Sequence, residues 1–238
     1  MDTARIPLPR GAILHDTTMA FDPRILFDQD LLRERGEVEE ALGGRGSISF
    51  IRLGEARLVL RRYLRGGLVA KLSRDRYLWL GEARTRAFRE FRLLVRLREL
   101  SLPVPRPVAA RYRRGLLAYR GELVTELLPA TESLAARWLA GRDTRGDWEE
   151  AGRCIRRFHD AGVQHADLNA HNIMLGASGG VWLLDFDHGR LREPGAWRER
   201  VLARLARSLQ KIGTAAGRGE EWRERFGWLE AAHDAPAV

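Results

Sequence analysis

The alternation of apolar and polar residues along the first half of the chain predicts an antiparallel arrangement of short strands. A glycine-rich turn leads into the first strand, and further strand patterns follow at intervals set by turn sequences. The predicted strands lie within residues 42–51, 57–63, 108–112, 116–120 and 123–128. Residues 1–35 have no clear periodicity and are predicted to be an irregular lead-in, with a short helix near residues 30–40.

Helical periodicity dominates the rest of the pattern. Residues 81–100 carry Phe88, Phe91 and Leu94 at helical spacing and are followed by three prolines, which predicts one long amphipathic helix that ends there. The second half is predicted to be mainly helical with one small strand pair, at residues 132–140, 147–161, 172–175 paired with 181–184, 197–212 and 220–232.

This distribution of elements predicts an α+β protein with two lobes. Elements after residue 128 cannot join the first sheet through short connections, so we place the boundary near residues 128–131. The predicted N-terminal lobe is residues 1–128, a small antiparallel β-sheet with one long helix. The predicted C-terminal lobe is residues 129–238, mainly helical with a hairpin.

Composition narrows the class of protein. The chain has 238 residues and a single cysteine, Cys154, so an intramolecular disulfide is excluded. No apolar run approaches the roughly 18–20 residues of a membrane-spanning helix. The first 30 residues contain scattered charges and no continuous apolar segment, so no secretory signal is predicted and a reducing cytoplasmic compartment is expected.

Positive charge is concentrated in one part of the chain. The net charge is +9, yet residues 51–114 alone contain 18 basic and five acidic residues, a local charge of +13. Such a segment favours an anionic partner, either nucleic acid, a lipid surface or a phosphorylated substrate, or else forms an arginine-rich solvated surface. A second basic stretch is left open between a solvated helix face and a substrate contact: Arg198, Arg200, Arg204, Arg207 and Lys211.

One polar loop carries the strongest chemical pattern. Asp167 follows His165 by two residues, Asn172 comes five residues after Asp167, and Asp185 ends a strand thirteen residues later. A hairpin that returns beside the loop can bring Asp167, Asn172 and Asp185 together. A carboxylate and an amide oxygen suit Mg²⁺, and the remaining carboxylate can accept a hydroxyl proton. The pattern therefore predicts phosphoryl transfer.

The loop resembles the catalytic loop of the protein-kinase-like fold, with Asp185-Phe186-Asp187 in the position of the metal-binding triplet. In this resemblance Asp167 is the catalytic base, and Asn172 and Asp185 hold Mg²⁺ against the phosphates of ATP. His165 is expected to brace the loop. Asp187 is expected either to assist a second metal ion or to cap the next turn.

The resemblance also assigns residues upstream of this loop to ATP. Gly44 and Gly46 resemble a shortened glycine-rich loop over the phosphates. Arg61 takes the place of the usual phosphate-pairing lysine, with Glu90 as its carboxylate partner, and Lys71 is the alternative cation. Two further residues, Glu126 and Leu128, fall in the expected hinge segment, where backbone groups would bond to adenine and the side chain of either Leu128 or Leu175 would pack on its ring.

Longer strings across residues 44–211 resemble the lipopolysaccharide kinase family, which also has arginine at the position of Arg61. These strings include residues 59–68, 85–91, 103–110, 167–173 and 204–209. The chain after Asp187 is short and lacks an Ala-Pro-Glu sequence, which favours a small-molecule or glycan acceptor over a peptide.

This resemblance, which is strongest to the family members that act on 3-deoxy-D-manno-octulosonic acid (Kdo), implies ATP-dependent phosphorylation of a hydroxyl of the Kdo sugar on a lipid A precursor. It implies ATP and Mg²⁺ as cofactors and a peripheral position at the anionic cytoplasmic face of the inner membrane of Gram-negative bacteria. No nucleic acid and no obligate protein partner are expected. The alternatives are a heptose kinase, an aminoglycoside-type phosphotransferase, a degenerate kinase used as a scaffold, and a non-enzymatic, basic nucleic-acid-binding domain.

Overall fold

The computed structural model describes residues 1–40, 47–64 and 75–235. By its packing the chain divides into two compact units. The first contains Met1–Glu99 and Pro105–Leu127, and the second contains Leu100–Val104 and Leu128–Val238. Both units agree with the predicted α+β class, and each is described by itself. The predicted Gly44, Gly46 and Lys71 positions lie outside the described residues.

The described residues of the first unit form an eight-stranded sheet in which every pair of neighbours is antiparallel. The strand order is β1-β2-β7-β8-β5-β4-β3, with β6 also paired to β8. The strands are β1 (Thr3–Leu8), β2 (Gly11–Asp16), β3 (Val38–Glu40), β4 (Ile48–Leu53), β5 (Ala56–Arg62), β6 (Tyr77–Leu78), β7 (Pro107–Arg114) and β8 (Ala118–Glu126). The sheet is therefore larger than the small one predicted.

The prediction of an irregular lead-in was wrong. β1 and β2 form a hairpin, and β2 pairs with β7, which lies about 95 residues further along the chain. The helix predicted near residues 30–40 is shorter, α1 (Gln29–Glu34), because Val38–Glu40 pairs with β4 as a strand. Pairing with distant strands therefore decided the structure of a segment that has little local periodicity.

The long helix α2 (Arg86–Glu99) packs against β7 and β8. Its buried side chains include Phe88, Phe91 and Leu94, as the helical spacing predicted. The helix and the sheet are close at Gly121 of β8, where a Cβ would lie 3.4 Å from the side chains of both Ala87 and Tyr63, at the short end of ordinary van der Waals contact. The opposite face of the sheet contributes to a core that contains Ile13, Leu26, Leu32, Ile51, Leu58, Leu60, Val108 and Val124.

The second unit is mainly helical. Its helices are α3 (Leu134–Leu139), α4 (Arg145–Asp160), α5 (Trp197–Ala215) and α6 (Glu221–Asp234). Short strands complete it: β9 (Thr131–Ser133), β10 (Val163–Gln164), β11 (Ile173–Gly176), β12 (Val181–Leu183) and β13 (Arg190–Leu191). The predicted hairpin is confirmed as β11 and β12, and β9 adds a third strand beside β11.

Helices α4 and α6 pack closely because Gly152 lies at their contact. A Cβ on Gly152 would come within 2.1 Å of the Leu229 carbonyl oxygen. A capping box between Thr144 and Asp147 fixes the first turn of α4, since each residue's side chain bonds the other's backbone. Among the residues that the structure describes, no helix has the length and apolar character needed to cross a membrane.

Candidate active site

The polar loop between α4 and β11 is anchored by the buried His165. A carbonyl can only accept, so the His165 Nε2–H donates to the Leu184 carbonyl oxygen over 2.8 Å. The His165 ring also lies against Phe186, whose ring stacks on Phe158 of α4. Burial lowers the pKa of His165, and the carboxylates of Asp185 and Asp167 oppose that shift. A neutral, buried histidine fits a bracing role.

Asp167 and Asn172 lie on this loop, and both are half-buried. The amide Nδ2 groups of Asn169 and Asn172 both donate to the Asp167 backbone carbonyl, over 2.9 and 3.4 Å. These bonds fix the turn that carries Asp167. Within the described part of the chain, the Asn172 Oδ1 has no hydrogen-bond partner, which leaves this hard oxygen available to a ligand.

Asp185 follows the end of β12 with its side chain exposed. The Leu184 N–H donates to the Asn172 carbonyl oxygen over 2.9 Å, so Asp185 is joined through its neighbour to both His165 and Asn172. Asp185 has a φ of +66°, a left-handed conformation that costs a residue other than glycine about 1–3 kcal/mol and is typical of functional positions. Phe186 and Asp187 are buried.

These contacts bring the three predicted residues to one end of the β11–β12 hairpin. No group of three or more His, Cys, Asp or Glu side chains forms a metal-binding cluster among the residues described by the structure. A metal ion here would therefore rely on the amide oxygen of Asn172 and the carboxylate of Asp185, with further oxygens from phosphate and water.

A cation not assigned by the sequence lies beside the predicted base. Arg204, on α5, forms an ion pair with Asp167, with 2.8 Å between its Nη2 and the Asp167 Oδ1. Both side chains are close to half exposed, 48% for Arg204 and 43% for Asp167.

In the first unit, Arg61 and Glu90 are paired as the sequence predicted. Arg61 of β5 forms an ion pair with Glu90 of α2, whose side chain is only 2% exposed. The Tyr63 hydroxyl donates to the same carboxylate over 2.6 Å, and the Arg61 guanidinium lies 4.9 Å from the centre of the Tyr63 ring. Burial, together with the charge of Glu90, raises the pKa of Tyr63 well above its ordinary value.

Sequence reasoning gave no role to Tyr63, although the signal was present. Residues two apart on a strand lie on the same face, so Tyr63 must accompany Arg61 toward α2. Tyr63 and Arg61 together hold the Glu90 carboxylate with two donors.

The predicted hinge residues have mixed environments. The Glu126 N–H donates to the Arg106 carbonyl oxygen over 2.9 Å, and the Leu127 N–H donates to the Arg57 carbonyl oxygen over 2.8 Å. The Glu126 side chain pairs with Arg106. Leu128 belongs to the second unit, where its carbonyl accepts from the Thr131 hydroxyl.

The family model and the similar proteins point to the same family. The model of the lipopolysaccharide kinase (Kdo/WaaP) family matches residues 29–225. A 3-deoxy-D-manno-octulosonic acid kinase of Stenotrophomonas maltophilia is 52% identical over 202 residues, 79% of this chain and 80% of the relative. A protein of the same name from Xanthomonas campestris is 49% identical over 216 residues, 84% of this chain and 83% of the relative.

A crystal structure of WbdD aligns with a TM-score of 0.44 at 18% identity, over 80% of this chain and 44% of that one, a score too low to support an argument. The family match, by contrast, spans most of the chain and includes Arg61, Glu90 and the whole polar loop. The chain belongs to the lipopolysaccharide kinase (Kdo/WaaP) family, as its sequence motifs indicated.

Proposed function

We propose that this protein is an ATP-dependent kinase that phosphorylates a hydroxyl of the Kdo sugar on a lipid A precursor, in lipopolysaccharide core biosynthesis. The 52% identity to a 3-deoxy-D-manno-octulosonic acid kinase over four-fifths of both chains carries this proposal. The polar loop supports it, because it presents a carboxylate, an amide oxygen and a second carboxylate at one end of a hairpin.

Asp167 is the proposed base. It orients the acceptor hydroxyl and takes its proton as the hydroxyl oxygen bonds to the γ-phosphorus of ATP and the bond from that phosphorus to the leaving ADP breaks. Such a group typically contributes a factor of about 10²–10⁴ to the rate. Its turn is held by Asn169 and Asn172, so the carboxylate is presented by a loop that is already formed. His165 holds the loop against Leu184.

The side-chain oxygens of Asn172 and Asp185 fit a divalent cation such as Mg²⁺. The Asn172 Oδ1 has no hydrogen-bond partner within the described residues, and the side chain of Asp185 is exposed. When bound, the ion would neutralise charge on the transferring phosphoryl group. The chain's contribution is to hold these two oxygens close to Asp167.

Arg61 is the proposed partner of the ATP α- and β-phosphates. Its planar guanidinium can bind phosphate through two parallel hydrogen bonds, unlike a lysine. Glu90 and Tyr63 fix its position from the α2 side. Adenine recognition is assigned to the segment from Glu126 to Leu128. The N–H groups of Glu126 and Leu127 already donate to backbone carbonyls of the protein, so Leu128 is the residue of this segment whose N–H would donate to the base.

We also propose contact with the anionic cytoplasmic surface of the inner membrane. The hairpin tip, defined as Gly115–Leu117 between β7 and β8, exposes Leu116 (94%) and Leu117 (77%). Two more exposed leucines, Leu78 at the end of β6 and Leu80 just after it, add to this apolar surface. Arginines surround it: Arg76, Arg113, Arg114 and Arg120. Leucines ringed by cations suit an anionic bilayer, into which the apolar groups insert while the arginines meet headgroups.

The central experiment is incubation of the purified protein with ATP and Mg²⁺, followed by mass spectrometry of the acceptor. The acceptor panel contains a Kdo-bearing lipid A precursor, the same precursor without Kdo, a heptose-bearing glycan and an aminoglycoside. Phosphate gained only by the Kdo-bearing acceptor is the expected result. Phosphorylation of the heptose or the aminoglycoside instead would replace the proposed acceptor.

The base assignment is tested by Asp167→Asn, with Asp160→Asn as its matched control. Asp160 is also an ion-paired aspartate of the second unit and is 46% exposed, similar to Asp167. We expect Asp167→Asn to lower kcat at least about hundredfold, because an amide cannot take the proton, and to leave ATP affinity unchanged, because Arg61 and Glu90 are intact. Asp160→Asn should retain normal turnover, and a normal kcat for Asp167→Asn contradicts the assignment.

A further inference from the structure

Helix α5 presents a row of cations on its exposed side. Arg200, Arg204 and Arg207 are spaced so that they share one face of the helix, while Val201, Leu205 and Leu209 are buried on the other. Across residues 1–40, 47–64 and 75–235, only Arg204 of these three has an acidic partner, which is Asp167. The sequence alone left this stretch open between a solvated face and a substrate contact, and the structure adds that Arg204 contacts Asp167.

The ion pair of Arg204 with Asp167 is of a kind that exchanges easily. Both side chains are about half exposed, and exposed pairs contribute little to stability. A guanidinium has five N–H donors, far more than one aspartate oxygen can occupy. Arg204 therefore retains donors for a second carboxylate, and its planar edge suits the two oxygens of that group.

We propose that Arg204 binds the carboxylate of the acceptor sugar and thereby selects an acidic sugar. This inference rests on the proposed function, in which the acceptor is an octulosonic acid that carries its carboxylate on the sugar that reacts. A cation in direct contact with the base lies within the span of one sugar ring from the reacting hydroxyl. Phosphates of the lipid A part lie on other sugars, so the carboxylate is the group that this position reaches.

Binding of the acceptor carboxylate exchanges one carboxylate partner of Arg204 for another. Asp167 is then released from the ion pair and faces the hydroxyl of the same sugar. Arg200 and Arg207, on either side along the helix, strengthen the local positive field without a contact to Asp167.

The test compares wild type, Arg204→Gln and Lys211→Gln with two acceptors, the Kdo-bearing precursor and its Kdo methyl ester. Lys211 also lies on exposed α5 surface but two turns further along, so Lys211→Gln controls for the loss of one positive charge. Thermal midpoints and ATP affinity establish that each variant is folded.

For the acid acceptor, we expect Arg204→Gln to lower kcat/KM about 10- to 100-fold, mainly through a higher KM, because a charged hydrogen-bond pair is lost. Lys211→Gln should remain within about twofold of wild type. With the methyl ester, wild type should show a similar loss, and Arg204→Gln should add little to it, since both changes remove the same contact. Arg204→Lys should restore part of the affinity. Removal of the lipid A phosphates should leave the effect of Arg204→Gln unchanged.

Three results would overturn the inference. An Arg204→Gln variant with normal kinetics on the acid acceptor makes Arg204 a solvated surface residue. An equal loss of kcat on acid and ester makes it only a support for Asp167. An effect that disappears with the lipid A phosphates assigns Arg204 to phosphate. Wild-type turnover is measured first: if wild type does not phosphorylate the Kdo-bearing precursor, the proposed function fails, and this inference fails with it.

Discussion

The buried carboxylate of Glu90 offers the sharpest test of how the first unit positions Arg61, the proposed partner of the ATP phosphates. Glu90→Gln keeps the size of the side chain and an acceptor for the Tyr63 hydroxyl but removes the negative charge opposite Arg61. Breaking a buried ion pair on one side costs about 3–5 kcal/mol. Since Arg61 is 25% exposed and the amide still accepts a hydrogen bond, we expect a smaller loss, about 1–3 kcal/mol.

For a chain of this length, each kcal/mol lowers the midpoint of thermal unfolding by about 2–4 °C, so Glu90→Gln should lower it by about 2–12 °C. The matched control is Glu99→Gln on the same helix. Glu99 pairs with Arg96 in an exposed ion pair, 3.0 Å between Nη1 and Oε2, so its loss should cost at most about 1 kcal/mol.

The same variant should weaken ATP binding about tenfold, because Arg61 is no longer held toward the phosphates. Calorimetry or a fluorescent ATP analogue measures the affinity. Equal unfolding temperatures for Glu90→Gln and Glu99→Gln would refute the energetic reasoning. A destabilised Glu90→Gln protein with unchanged ATP affinity would refute the role of the pair in nucleotide binding.

Two further predictions concern the hairpin tip and a buried histidine of α4. Leu116→Asp combined with Leu117→Asp should abolish co-sedimentation with vesicles of phosphatidylglycerol, because two exposed leucines become acidic; Leu191→Asp, at an exposed leucine of β13, should not. Equal binding of both proteins would contradict the membrane surface. Burial lowers the pKa of His159 from 6.5 to about 3. Below pH 6.5 this histidine is therefore protonated in the unfolded chain but stays neutral in the folded chain. The free energy of unfolding should therefore fall as the pH drops, by up to about 1.4 kcal/mol per pH unit. Denaturant titrations from pH 7 to pH 4 measure this dependence, and the slope of the free energy of unfolding against pH should be smaller for His159→Gln than for wild type. The control His171→Gln, a change at an exposed position, should keep the wild-type slope. Identical slopes would contradict a neutral, buried His159.

The sequence predicted those parts of the fold whose signal is local. Helical spacing of Phe88, Phe91 and Leu94 was enough for α2, because those side chains are buried against the sheet. The hairpin of β11 and β12 followed from two apolar runs around a glycine turn. Spacing and resemblance also led to the Arg61–Glu90 pair, which the structure contains.

The parts that sequence reasoning missed depend on distant partners. β1 alternates only between exposed and half-buried positions, and its hairpin with β2 is completed by pairing with β7. Gly121 was interpreted as a break between two strands, yet β8 continues through it. Ala87 of α2 and Tyr63 pack beside the strand at that residue. No pattern near Gly121 or Thr3 contains that information.

Arg204 illustrates the same limit within the candidate site. The spacing of its helix indicates which face is exposed, and an exposed row of arginines is ordinarily solvated. What distinguishes Arg204 from Arg207 is contact with Asp167, a residue 37 positions earlier that reaches α5 only through the packing of the second unit. A surface charge acquires a specific role when the fold places it beside a reacting group. A ligand that approaches that group must then also offer a group of opposite charge to it. The acceptor carboxylate, rather than the net charge of the chain, is therefore the feature by which we expect this kinase to recognise its substrate.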